Sequence, residues 1–240
     1  MSQVLAILPC VDEARAIGAL VRAMPKEVSR TLVIDDGSRD GTASVASDAG
    51  AEVLRFERTG GVGAALRVGF SHALRGGFEV VVVLAGNGKD DPREIPSVLE
   101  PITDGAADFV QGSRWLRSRA SLGEMPRYRR LATRLHPLLF SLATGHFVTE
   151  STNGFRALHR RVLEHPRLDL AQPWLDGYQL EPFLYARALA LGFRCLEVPV
   201  TKIYPPPTHG PVTRMAPMSG WWEMLEPLVR ARTCAPRSPQ

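Results

Sequence analysis

Leu32-Val33-Ile34-Asp35-Asp36-Gly37-Ser38-Arg39-Asp40-Gly41-Thr42 runs an apolar, β-branched stretch straight into two carboxylates. The apolar part has the composition of a buried parallel strand. Gly37 permits a turn that a residue with a Cβ resists. Asp40 or Thr42 can cap the helix that follows. The two acids therefore fall at the carboxyl end of a strand, where open α/β sheets bind ligands. Taken alone, the stretch reads equally well as a solvated acidic turn, so the rest of the chain decides.

The same grammar recurs along the first half. Strands are expected at Val4–Leu8, Thr31–Asp35, Glu52–Phe56, Val80–Leu84 and Asp108–Gln111, with helices between them. The first helix carries Ile17, Leu20, Val21 and Met24 on one face. Gly60-Gly61-Val62-Gly63 opens the third helix, and Gly76-Gly77 closes it. Regular alternation of strand and helix predicts a doubly wound, mostly parallel sheet with helices on both faces. Beyond Gly112-Ser113-Arg114 the pattern loosens. Arg127–Leu142 is basic on one side and apolar on the other, Asn153–Arg156 reads as a turn, and Gln179–Leu191 as a helix. Arg194–Val200 is a strand, Pro205–Pro211 a stiff lid-like loop, and Pro217–Arg232 a last helix before a disordered tail.

Composition narrows the function. The chain is 240 residues long and 45% hydrophobic, enough for one large α/β domain, or one domain with a C-terminal appendage. Its net charge of +4 suits anionic small molecules or an anionic lipid surface. With 7% aromatics and dispersed basic residues, no nucleic-acid partner is expected. Cys10, Cys195 and Cys234 are far apart and odd in number, which argues against a disulfide framework and for a reducing cytoplasm. No signal peptide is visible, and no apolar run approaches the roughly 20 residues of a membrane span. The expected location is cytoplasmic, with peripheral contact on the inner membrane face left open.

The motifs together resemble a known family. Pro9-Cys10-Val11-Asp12-Glu13, the stretch Asp35–Thr42, Gly61-x-Gly63-Ala64-Ala65 with Gly69, Gly112-Ser113-Arg114, Asn153-Gly154-Phe155-Arg156, Gln179-x-Glu181, Glu197–Val200 and Thr213-Arg214-Met215 occur in order. They resemble the motifs of family 2 glycosyltransferases with a GT-A fold, above all the dolichyl-phosphate mannosyltransferase and polyprenyl-phosphate sugar transferase group. The resemblance implies a GT-A domain over residues 1–217, with a donor half at 1–115 and an acceptor half at 116–217. Residues 218–240 then form a C-terminal helix and tail. It implies transfer from a UDP- or GDP-sugar, with inversion, to a polyprenyl phosphate or to a soluble glycan or small-molecule hydroxyl. Oligomeric state is not readable.

Residue roles follow from the resemblance. Pro9, Val11, Glu13 and Asp36 are expected at the nucleoside, Asp36 accepting from the base. Gly63, Asn87, Gly88 and Arg214 complete the nucleotide-binding set. Arg114 and Arg214 are candidates for phosphate contact, because a guanidinium is a planar, bidentate donor. Glu150 and Glu181 are the candidate bases, with Glu181 equally readable as a structural partner for an arginine. The main departure lies after the fourth strand. The family carries Asp-x-Asp-x-Gln there to hold Mg²⁺ or Mn²⁺, but this chain has Ala85, Asn87 and Lys89. Either the Lys89 ammonium stands in for the metal, or Asn87 with Asp90 or Asp91 builds a shifted metal site, or catalysis is lost. The rival functions are a non-catalytic nucleotide-sugar-binding module and a sugar nucleotidyltransferase. The second lacks its expected basic glycine-rich signature after the first strand.

Overall fold

The computed structural model describes residues 3–116, 122–204 and 219–233. Arg214, Cys234, the Pro205–Pro211 loop and the tail after Thr233 lie outside them. The strands are β1 (Val4–Cys10), β2 (Arg30–Asp35), β3 (Glu52–Arg55), β4 (Val80–Val83), β5 (Phe109–Ser113), β6 (Arg156–His159) and β7 (Cys195–Pro199). They form one seven-stranded sheet in the order β3-β2-β1-β4-β6-β5-β7. In line with the expected mostly parallel sheet, β1 pairs parallel with β2 and β4, β2 with β3, and β5 with β7.

One strand departs from the expectation. Arg156, expected in a turn, begins β6, which pairs antiparallel with both β4 and β5. The sheet is therefore mixed. Four residues are too few to show a period, and Arg156-Ala157-Leu158-His159 opens on an arginine and is followed by two more, Arg160 and Arg161. Tertiary pairing makes this strand, in line with the context dependence of β structure.

Side chains alternate across the sheet and make two cores. Leu5, Ile7, Leu32, Ile34, Val81 and Val83 face α3 (Val62–Arg75), α5 (Arg127–Thr144), α7 (Leu180–Ala190) and α8 (Ser219–Thr233). Val4, Ala6, Leu8, Val33, Val80 and Val82 face α1 (Ala14–Arg22), α2 (Thr42–Asp48) and α4 (Ile95–Thr103). The short α6 (Arg160–Leu163) follows β6. On the first face Tyr185 is stacked between Phe109 and Phe140, with ring centroids 4.9 and 5.1 Å away. Helix α8 belongs to this layer. Leu228 joins the core, and buried His136 of α5 meets the Met224 carbonyl at 2.8 Å and Ser151 Oγ at 2.7 Å. Burial lowers the pKa of His136, so neutral imidazole bridges the two groups.

Candidate active site

The carboxyl ends of β1, β2 and β4 lie side by side, and their loops are bound to one another. Ser38 Oγ accepts from the Asp12 N–H at 2.9 Å, Thr42 Oγ1 from Glu13 N–H at 2.8 Å, and Asp40 Oδ2 from Ala14 N–H at 3.2 Å. The β2–α2 loop thus binds the N–H groups of the two residues leading into α1 and of its first residue, Ala14, while the Glu13 side chain at the N-cap makes no capping bond. Asp40 also accepts from Thr42 N–H at 2.9 Å, so it serves the starts of two helices. Asp12 holds φ +50° and accepts from Arg39 N–H at 2.7 Å. Pro9, Val11 and Glu13 are each half-buried on this rim.

The two acids divide their work. Asp35 is fully buried, and its Oδ1 accepts from Ser38 N–H at 2.9 Å, closing the Gly37 turn. Asp36 is also buried, and its oxygens accept from the N–H groups of Gly60 and Gly61 at 2.6 and 3.0 Å. Burial raises the Asp36 pKa and these two bonds oppose the rise. Asp36 therefore ties the glycine loop to the end of β2. That loop then seats backbone on backbone. A Cβ on Gly63 would stand 1.9 Å from the Leu175 carbonyl oxygen, and Ala64 N–H donates to the Asp176 carbonyl at 3.0 Å. The glycines bring α3 close to the segment before α7.

Beyond β5, Arg114 and Glu150 form a buried pair, with Nε to Oε2 at 2.6 Å. Arg114 also donates to Tyr204 Oη at 3.0 Å and Thr152 Oγ1 at 3.3 Å. Glu150 Oε1 accepts from Ser151 N–H, Thr152 N–H and Thr152 Oγ1 at 3.0, 2.8 and 2.8 Å. Glu197 receives the N–H groups of Thr149 and Glu150 at 2.8 and 2.7 Å, and burial raises its pKa. Glu181 pairs with Arg156, Oε1 to Nη2 at 3.2 Å, and its carbonyl accepts from Nη1 at 2.9 Å. Of its two readings, the arginine partner is the one the geometry displays.

The loop after β4 completes the site. Asn87 Oδ1 accepts from Lys89 N–H at 3.2 Å, Gly88 turns at φ +73°, and the Lys89 carbonyl accepts from Ile203 N–H at 2.9 Å. Lys202 Nζ donates to both oxygens of Asp90, at 2.7 and 2.8 Å, and to Asn153 Oδ1 at 2.8 Å. The Lys89 ammonium lies 5.3 Å from the Tyr204 ring centroid. Burial, then the charges of Lys202 and Arg129, lower the Lys89 pKa to about 8. Lys202, Tyr204, Arg129 and Asn153 were not among the sequence candidates for this site. Only the spacing Lys202-x-Tyr204, which puts both side chains on one face of an extended segment, hints at them.

Comparison with known proteins agrees with this architecture. The model of the family described as "Glycosyl transferase family 2" matches residues 6–166. The chain is 30% identical over 207 residues to polyprenol monophosphomannose synthase of Mycolicibacterium smegmatis, covering 82% of this chain and 76% of that one. It is 32% identical over 211 residues to undecaprenyl-phosphate mannosyltransferase of Micrococcus luteus, covering 83% of each. Among solved structures, glucosyl-3-phosphoglycerate synthase from Mycobacterium tuberculosis, in complex with Mn²⁺, UDP and phosphoglyceric acid, superposes with a TM-score of 0.73 at 19% identity. That match covers 99% of this chain and 80% of the other. It identifies the fold as GT-A.

Proposed function

Because the chain belongs to glycosyl transferase family 2, a glycosyltransferase that draws on nucleotide-sugar donors, we propose that its donor is a UDP- or GDP-sugar and its acceptor a polyprenyl phosphate. The acceptor phosphate oxygen attacks the anomeric carbon. The bond to the donor diphosphate breaks, its electron pair leaves with the diphosphate oxygen, and the configuration inverts. An ionised phosphate needs no strong base, which fits a site whose Glu150 and Glu181 are both engaged with arginines.

The observation that carries the acceptor reading is the outer face of α5. Tyr128, Leu131, Leu135, Leu138 and Leu142 are all exposed, Leu131 at 69% and Leu142 at 67%, and Phe147 follows at 88%. Their 3-4-3-4 spacing makes one stripe along the helix. Arg127, Arg130 and Arg134 flank it, and residues 127–144 contain no Asp or Glu. An apolar stripe with purely cationic flanks suits the surface of an anionic bilayer. The like charges disfavour pairing with a second copy of itself. No helix among the described residues is long and apolar enough to cross a membrane. The names of the two mannosyltransferase relatives support the same acceptor class.

Within this reading Pro9, Val11 and Glu13 line the nucleoside pocket, Asp36 and Gly63 position its glycine floor, and Asn87 and Gly88 shape the diphosphate loop. Arg114 and Glu150 position the acceptor side. The test is transfer from a panel of UDP- and GDP-sugars to undecaprenyl phosphate in vesicles and to 3-phosphoglycerate in solution. A lipid-phosphate sugar product is expected. Product on the soluble acceptor alone would remove the lipid reading.

A further inference from the structure

The loop after β4 stands where the family resemblance places a metal-binding acid pair, and the residues present do not fit a metal. Ala85 offers no ligand atom. Asn87 Oδ1 is engaged by the Lys89 N–H. Asp90 gives both oxygens to Lys202. Asp91 caps the turn at Pro92–Glu94 and pairs with Arg93, Nη2 to Oδ2 at 2.8 Å. Among the described residues, no three His, Cys, Asp or Glu side chains gather as a metal would require.

Positive charge gathers there instead. The Lys89 ammonium is 5.3 Å and the Arg129 guanidinium 5.7 Å from the same Tyr204 ring centroid. Tyr204 is buried on Leu122 and Met125, and its hydroxyl accepts from Arg114. Lys202 lies two residues before it in the chain. Arg114 and Lys202 are matched by buried acids, Glu150 and Asp90.

We infer that Lys89 and Arg129, gathered at the Tyr204 ring, supply the countercharge that a divalent cation supplies elsewhere in the family, so that the donor's diphosphate is held and released without a metal. As the anomeric C–O bond breaks, its electron pair passes to the diphosphate oxygen, and the Lys89 ammonium faces the charge that develops there. An ammonium is suited to this as a compact point charge with rotatable donors. The inference rests on the nucleotide-sugar reading above.

Calorimetric titration of UDP, GDP and their parent nucleosides, in EDTA and in Mg²⁺ or Mn²⁺, tests it. Diphosphate affinity is expected to agree between the buffers within about threefold, a difference of under ~1 kcal/mol. Lys89→Met should weaken the diphosphate by about tenfold or more, the scale of one hydrogen bond to a charged group. Nucleoside affinity should stay unchanged, Arg129→Met should show the same selective loss, and Lys89→Arg should recover most of it. Diphosphate binding that requires the metal, or that neither methionine variant weakens, overturns the inference and leaves the nucleotide-sugar reading intact. Failure of every nucleotide to bind in both buffers overturns that reading, and the inference with it.

Discussion

Lys202 and Asp90 meet across an isolated antiparallel bridge, with the ammonium within 2.8 Å of both carboxylate oxygens. Both side chains are almost wholly buried. The pair pins the end of the β4 loop to the segment leaving β7. Removing one partner of a buried pair strands the other charge, at a cost of about 3–5 kcal/mol. Lys202→Met should therefore lower the urea midpoint strongly. Adding Asp90→Leu should restore part of the loss, because the orphan charge is then gone. Equal midpoints for Lys202→Met and wild type would mean that the bridge is not formed.

Gly63→Ala places a methyl group where the Leu175 carbonyl stands. Backbone must move, and overpacking of this kind costs about 1–3 kcal/mol or more. Gly50→Ala is the control, since a Cβ there meets nothing within 4 Å and only the φ of +100° is strained. Thermal denaturation should rank Gly63→Ala as clearly less stable than Gly50→Ala. The reverse order would contradict the close seating of α3.

Glu150 accepts hydrogen bonds from Arg114, Ser151 and Thr152 inside the protein. Glu150→Gln turns an amide donor toward donors already there, so both Tm and kcat should fall. The acidic limb of the pH–rate profile should keep its midpoint, as for a positioning residue. Loss of that limb with Tm unchanged would instead make Glu150 the proton acceptor.

Lys89 carries a cost that depends on pH. Its pKa falls from the ordinary lysine value to about 8 on folding. The unfolded chain therefore holds more protons than the folded one between about pH 8 and 10.5, and stability rises with pH through that window. Below it, both states are charged and the folded state bears the full desolvation penalty. Lys89→Met should accordingly raise Tm at pH 7, with the gain shrinking toward pH 10. A constant gain across this range would mean that Lys89 titrates normally.

Leu131→Glu with Leu138→Glu puts charge on the exposed stripe without touching either core. Co-flotation with phosphatidylglycerol vesicles should be lost while Tm stays within a few degrees, as for other surface substitutions. Vesicle binding that survives the double substitution would take the bilayer away from α5.

The first half of the sheet was legible because its strands are apolar runs ended by glycine, proline or acids, and the two faces of each strand alternate as they must. Strand β6 was not, since four residues inserted between β4 and β5 take their conformation from those neighbours. The site was legible to the same extent. The strand-end motifs placed Asp36, Glu13 and Lys89 in one region. Arg114 and Glu150 were singled out, but not as partners, because the contact joins positions 36 residues apart. Lys202 and Tyr204 follow Val200-Thr201 and precede a proline run, so they read as loop until the Asp90 bridge fixes them.

The side chains of Ser38, Thr42 and Asp40 take the N–H groups of Asp12, Glu13 and Ala14, where the chain enters α1. In a dinucleotide-binding βαβ unit, those same groups greet the pyrophosphate, and the helix dipole adds its partial positive charge. Here serine, threonine and aspartate already take the N–H groups of the two residues before the helix and of its first residue. An anion arriving at the end of β1 finds fewer backbone donors there and depends more on side chains across the cleft. Engineering the chain toward a dinucleotide cofactor would begin by stripping those side chains away, and would unfasten α1 in doing so.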